Sequence, residues 1–141
     1  MNKLGVLANM FLSMLSLGLS GPAQAADFAT QTNRDASVTV MATPRNISPA
    51  AGSWDFEISL STHSMALDQD MVHTAVLIVD SNKPQKPLDW DGDPPGGHHR
   101  KGVLRFRPSP ASAQAIELHI DGVGGVKRIF RWRLSNETMM P

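Results

Sequence analysis

The stretch WDFEISLS, residues 54–61, is the clearest structural signal in this chain. Apolar side chains occupy every second position, and polar or acidic side chains occupy the positions between them. Successive side chains of a β-strand point to opposite faces of a sheet, whereas an α-helix repeats its apolar residues every three to four positions. The stretch therefore predicts an antiparallel strand with one face on a hydrophobic core and the other in solvent.

Similar short apolar segments occur on both sides of this stretch, separated by Pro- and Gly-rich turns. The further candidate strands are residues 37–44, 72–80, 88–90, 103–107, 115–121 and 127–134. No stretch after the N-terminal segment has the pattern of an amphipathic helix. About seven short strands of this kind predict an all-β fold, an antiparallel immunoglobulin-like β-sandwich. The chain contains no Cys, so the comparison with immunoglobulins concerns architecture only.

The N-terminus has the pattern of a signal peptide. Lys3 supplies a positive charge, residues 4–19 are mostly apolar, and Ala23 and Ala25 provide the small residues that a signal peptidase accepts. An uncleaved anchor is the alternative, but the apolar stretch is short for a membrane span of about 20 residues. We therefore predict cleavage after Ala25 and a periplasmic or secreted protein.

The sequence predicts one folded domain after this signal peptide. The expected organisation is a signal peptide at 1–25, a flexible lead-in at 26–36, a β-sandwich domain at 37–135 and a C-terminal tail at 136–141. The 13 basic and 13 acidic residues balance, which argues against nucleic-acid or membrane partners after cleavage. No Cys nucleophile, G-x-S-x-G or H-E-x-x-H motif occurs. We expect a monomer that binds a protein or metal partner and is not an enzyme.

Three segments resemble an uncharacterised family of small exported bacterial and archaeal β-sandwich proteins. They are THS at 62–64, WDGDPPGGHHRKGVLRF at 90–106 and GGVKRIFRWRL at 124–134. The family pattern has a T-H-S strand end, a W-x-G-x-P-P-G-G-H-H-R-x-G-x-L-x-F segment and a closing aromatic and basic strand. The resemblance implies a sandwich fold and implies no reaction. It draws attention to Thr62, His63, Ser64, Gly96, Gly97, His98, His99 and Arg100.

The segment HSMALDQDMVH, residues 63–73, contains a mirror-symmetric set of two histidines and two methionines. A hairpin about Asp68 would place Met65 opposite Met71 and His63 opposite His73, all on one face. Imidazole and thioether groups together suit Cu(I). The alternative is that the methionines fill gaps in the core and the histidines have no ligand role.

The segment DPPGGHHR, residues 93–100, allows two interpretations. His98 or His99 could join His63 in a copper or zinc site. Alternatively, the segment is an ordered loop in which Gly96 and Gly97 adopt positive φ, the histidines bond loop carbonyls and Arg100 pairs with a nearby aspartate. Candidate aspartates are Asp89, Asp91 and Asp93, whose spacing suits a calcium loop although the rest of that motif is missing.

Four arginines form a further candidate site. Arg105 shares a strand face with Arg107, and Arg131 shares one with Arg133. Strands facing the same side would form a basic stripe able to bind an anion, although such rows usually form a solvated face that protects an edge.

Two hypotheses for function follow from these observations. The first is an exported binding domain for a transition metal, most plausibly copper. The second is a structural or protein-interaction module in which the histidines and Arg100 only order a loop. The predicted metal ligands are His63, His98, His99, His73, Met65 and Met71. The predicted loop-ordering residues are Gly96, Gly97, Arg100 and Trp90.

Overall fold

The computed structural model describes residues 28–109 and 112–134. The predicted signal peptide, its cleavage site and the C-terminal tail at 136–141 lie outside the described residues. Within the described part, the chain forms eight strands and one four-residue helix. In chain order they are β1 (Gln31–Asp35), β2 (Val38–Arg45), β3 (Trp54–Thr62), α1 (Met71–Thr74), β4 (Ala75–Val79), β5 (Asp89–Gly92), β6 (His99–Phe106), β7 (Ala115–Val123) and β8 (Val126–Arg133). No helix in these ranges is long and apolar enough to cross a membrane.

The strands form two antiparallel sheets. The five-stranded sheet has the order β1-β2-β3-β6-β5, and the three-stranded sheet has the order β4-β7-β8. Every strand pairing within the sheets is antiparallel. The predicted all-β sandwich is confirmed at this level, and each of the seven predicted segments contains or overlaps a strand.

The alternating side chains of β3 enter the core as the sequence predicts. Trp54, Phe56, Ile58 and Leu60 are each at most 2% exposed. The ring of Phe56 lies 5.5 Å from that of Phe106 in its own sheet and 5.9 Å from that of Trp132 in the other sheet. Burial of these aromatic surfaces joins the two sheets.

The segment predicted as a flexible lead-in contains β1, so that prediction is wrong for residues 31–35. This strand lies at the edge of the five-stranded sheet and has no buried apolar stripe, which is why an apolar alternation did not reveal it. Its Gln31 side chain also reaches the other sheet, where it donates to the carbonyl of Arg131 and accepts from the Arg131 N–H. The first strand therefore links the two sheets at one side.

The predicted hairpin between residues 58–65 and 71–78 is wrong. Strand β3 pairs with β2 and β6, whereas β4 belongs to the other sheet and pairs with β7. The connection between them passes from one sheet to the other and ends in α1, where the Asp70 side chain accepts from the N–H groups of Val72 and His73. His63 and His73 consequently belong to different parts of the fold.

Candidate functional site

Two connections meet at one end of the sandwich, and we call their meeting point the joint. It consists of residues 62–70, which begin at the last residue of β3, and residues 93–99, which end at the first residue of β6. The Thr62 N–H donates to the His98 carbonyl at 3.0 Å, and the Leu67 N–H donates to the Gly97 carbonyl at 2.9 Å. The Gly96 N–H returns a bond of 2.9 Å to the Leu67 carbonyl. These bonds bring the THS and PPGGHHR segments together.

The joint places three histidines at adjoining strand ends. Ser61 is the ladder partner of His99, and the bond between Thr62 and His98 extends that ladder by one position. His63 follows Thr62, the last residue of β3, and lies two positions beyond Ser61. His63 and His99 therefore lie on chain segments that are hydrogen-bonded to each other at this point.

All three histidines at the joint are exposed. No hydrogen bond from the ring of His63, His98 or His99 to another residue occurs within the described ranges. The expectation that His98 and His99 bond loop carbonyls is therefore wrong. Among residues 28–109 and 112–134, no group of three or more His, Cys, Asp or Glu side chains could hold a metal ion. The histidines are thus available to a ligand but do not form a closed cage.

Arg100 performs the loop-ordering role that was expected of the histidines. Its side chain is 1% exposed, and it donates to the carbonyls of Leu67 at 3.1 Å, Gln69 at 2.7 Å and Asp93 at 3.3 Å. The prediction of a carboxylate partner for Arg100 is wrong, because Arg105 takes the carboxylates of Asp89 and Asp91 instead. Burial lowers the pKa of the Arg100 guanidinium, and the nearby carboxylate of Asp93 opposes that shift.

Trp90 covers Arg100 at the sheet edge. Its ring centroid lies 5.6 Å from the guanidinium carbon of Arg100, and its indole N–H donates to the Asp93 carbonyl at 3.0 Å. The ring needs the absence of a side chain at Gly102, because a Cβ there would lie 2.6 Å from the indole. This stacking adds a cation–π contact to the carbonyl bonds of the arginine.

The glycines of the PPGG turn adopt the predicted conformation. Gly96 has φ of +119° and Gly97 has φ of +70°. Other residue types rarely adopt this region, so these two glycines allow the turn to reach Leu67. The loop-ordering interpretation is therefore correct for the glycines and for Arg100.

Of the remaining predicted ligands, Met71 and His73 lie outside the joint, whereas Met65 lies within it. Met71 is 2% exposed and belongs to the hydrophobic core, and Met65 packs against that core while partly buried. His73 is exposed on α1, where its Nδ1 lies 2.7 Å from an oxygen of Asp70. Hydrogen bonding from His73 lowers the pKa of the Asp70 carboxyl. The structure does not combine the thioethers with the imidazoles in one exposed set.

The predicted basic stripe is also wrong. Arg105 lies in β6 of the five-stranded sheet, Arg107 follows that strand, and Arg131 and Arg133 lie in β8 of the other sheet. Two of the four are neutralised by neighbours, since Arg105 pairs with Asp91 at 2.8 Å and Arg131 with Glu117 at 2.8 Å. These positions do not combine into one anion-binding surface.

Sequence reasoning missed Arg128, a second buried arginine. It is 1% exposed and donates to the carbonyls of Asp35, at 2.7 Å, and Val123. The alternating pattern of β8 could have revealed that Arg128 is buried, because Arg128 shares the face of Phe130 and Trp132. Arginine is rarely fully buried, so a reading by residue type overlooked that position.

Comparison with known proteins found no family model, no curated protein and no solved structure that matches this chain.

Proposed function

We propose that this protein is an exported, non-catalytic binding domain that holds a copper or zinc ion at the joint through His63 and His99, with His98 beside them. The observation that carries the proposal is that two hydrogen-bonded chain segments bring exposed histidines, whose rings have no hydrogen-bond partners, to one end of the sandwich. Unbonded exposed rings keep their nitrogens available for coordination.

The accessible donor set favours Cu(II) or Zn(II) over Cu(I). Imidazole suits copper and zinc, whereas Cu(I) selects thioether and thiolate ligands. The side chain of Met71 is enclosed in the core, that of Met65 packs against the core while partly buried, and the chain has no Cys. Two imidazoles leave coordination positions for water or for a group from a partner molecule.

Two further parts of the proposal concern architecture and location. In a constant-type immunoglobulin domain, one sheet has the order A-B-E-D and the other C-F-G. Strands β2 to β8, lettered A to G, have the same order, with β1 added at the edge next to A. We propose an immunoglobulin-like sandwich of the exported family that the sequence resembles, with the signal peptide removed after Ala25. The pattern of residues 1–25 supports export.

Isothermal titration of the purified protein with CuSO4 and with ZnSO4 tests the metal site. We expect at least one ion to bind with Kd below about 10 μM. His63→Ala and His99→Ala should each weaken that binding at least about tenfold, as expected for the loss of a direct ligand. His73→Ala is the matched control, because this exposed histidine bonds Asp70 outside the joint, and it should leave the affinity unchanged.

Failure of both ions to bind, or unchanged binding by the His63→Ala/His99→Ala double variant, would overturn this proposal.

The second candidate, a protein-interaction module, is favoured by the buried Arg100, which orders the joint without any ligand. In that case, no metal binds and replacement of the exposed His98 and His99 leaves the melting temperature unchanged.

A further inference from the structure

Arg100 directly follows His99, yet its side chain enters the protein instead of solvent. Its guanidinium bonds carbonyls from both connections of the joint, namely Leu67 and Gln69 on one side and Asp93 on the other. The Leu67 carbonyl also accepts from the Gly96 N–H at 2.9 Å. One buried cation therefore fixes the two chain segments that carry His63 and His98.

The shape of the guanidinium suits this arrangement. Arginine presents several N–H donors in a rigid planar fork, whereas lysine has one compact ammonium group on a flexible stem. Nη1 donates to Leu67 and Gln69, and Nη2 donates to Asp93, while the guanidinium carbon lies over the Trp90 ring at 5.6 Å from its centroid. A lysine at this position would keep the charge but could not hold both segments in the same geometry.

We propose that Arg100 is a positioning residue for the metal site, which sets the separation of the two connections so that His63 and His99 can share one ion. This inference rests on the proposed function. Arg100 itself contacts no ligand in this role and acts only through the backbone that carries the histidines. Groups that orient metal ligands in this indirect way influence affinity strongly.

Arg128 provides a matched control for the effect of burial. It is as buried as Arg100, at 1% exposure, and its N–H groups also donate to backbone carbonyls. Its acceptors, Asp35 and Val123, lie next to the β1–β2 and β7–β8 turns and outside the joint. Replacement of the Arg128 guanidinium should lower the free energy of unfolding without moving the histidines of the joint.

The experiment compares Arg100→Lys and Arg128→Lys with the wild type by thermal unfolding and by titration with Cu(II) and Zn(II). We expect both variants to melt at lower temperature. Only Arg100→Lys should weaken the binding of the ion that the wild type takes up, by about tenfold. Wild-type affinity in a folded Arg100→Lys protein, or equal weakening by Arg128→Lys, would overturn the inference. Absence of binding to the wild type would instead refute the proposed metal site.

If Arg100→Lys does not fold, Trp90→Phe provides a second test of the positioning role. This change retains an aromatic ring against Arg100 and removes the indole N–H that donates to the Asp93 carbonyl. We expect metal binding about threefold weaker, in line with the loss of one neutral hydrogen bond that orders the joint. Unchanged affinity in folded Trp90→Phe would contradict the positioning role.

Discussion

At the scale of single residues, the two buried arginines show how this fold accommodates charge inside. Neither Arg100 nor Arg128 forms an ion pair with the residues described, and carbonyl oxygens solvate both guanidinium groups. Burial lowers the pKa of each guanidinium below its ordinary value, but an arginine stays protonated at physiological pH. The guanidinium N–H groups thereby find acceptors among carbonyls at strand ends and in connections.

The backbone conformation at Gly97 makes this position sensitive to substitution. Its φ of +70° lies in the left-handed region, and a Cβ there would meet no atom within 4 Å. The cost of Gly97→Ala therefore comes from backbone conformation alone, and we expect a loss of about 1–2 kcal/mol in the free energy of unfolding. Urea denaturation measures this change.

Gly52→Ala is the control for that substitution. Gly52 is exposed, its φ lies outside the left-handed region, and a Cβ there also meets no atom within 4 Å. We expect the free energy of unfolding to change by less than about 0.5 kcal/mol. Equal effects of the two substitutions would show that the PPGG turn does not require its left-handed backbone.

At the scale of elements, an ion-pair network joins neighbouring strands β7 and β8. An oxygen of Glu117 lies 2.8 Å from Nε2 of His119, and its other oxygen accepts from Arg131 at 2.8 Å. Hydrogen bonds from His119, which has the larger effect, and from Arg131 lower the pKa of the Glu117 carboxyl below its ordinary value of 4.5. A carboxyl whose pKa is lowered by folding stabilises the protein above its unfolded pKa and loses that contribution as the pH falls through the folded pKa.

The lowered pKa of Glu117 predicts how the effect of Glu117→Gln on the melting temperature depends on pH. We expect the variant to melt below the wild type at pH 7, and the difference to shrink as the pH falls below 4.5, where the wild type also loses its carboxylate. Asp121→Asn, on the same strand, is the control because this exposed side chain makes no hydrogen bond within the described ranges. A difference that grows toward acid pH would contradict the assignment.

The alternation of apolar and polar residues predicted the strands that have one buried apolar face. It did not predict a strand without such a face. β3, β7 and β8 were predicted from their apolar faces, whereas polar β1 was missed because an edge strand needs no buried stripe. The proposed partner of β3 was wrong because a period of two fixes faces and leaves the choice of neighbouring strand open. Pairing depends on contacts between distant segments that no local pattern contains.

At the scale of the whole molecule, the sandwich brings the β1–β2 turn, the β7–β8 turn and the joint together at one end. The β1–β2 turn meets the β7–β8 turn through Arg128, and Thr62 donates to the Ser37 carbonyl at 2.8 Å. The joint contacts these turns through this one bond, whereas Arg100 holds its own two segments together beneath the exposed histidines. Rigid support of this kind is what a preorganised binding site requires.

The sequence predicted the residues of the candidate site better than their arrangement. Histidines and glycines stood out because their chemistry and backbone freedom are unusual, and Gly96 and Gly97 behave as predicted. Their partners could not be inferred, because Arg100 bonds carbonyls from residues about 31 to 33 positions away, contacts that depend on the completed fold. Residue types therefore predicted candidates, and topology decided which of them meet.

NMR of the histidine ring protons during addition of substoichiometric Cu(II) tests the proposed copper site at the joint, because the paramagnetic ion broadens the resonances of nearby nuclei. We expect the resonances of His63, His98 and His99 to broaden first, while those of His73 and His119, which bond carboxylates elsewhere, stay sharp. Broadening that begins at His73 or His119, or that affects no histidine, would contradict a copper site at the joint.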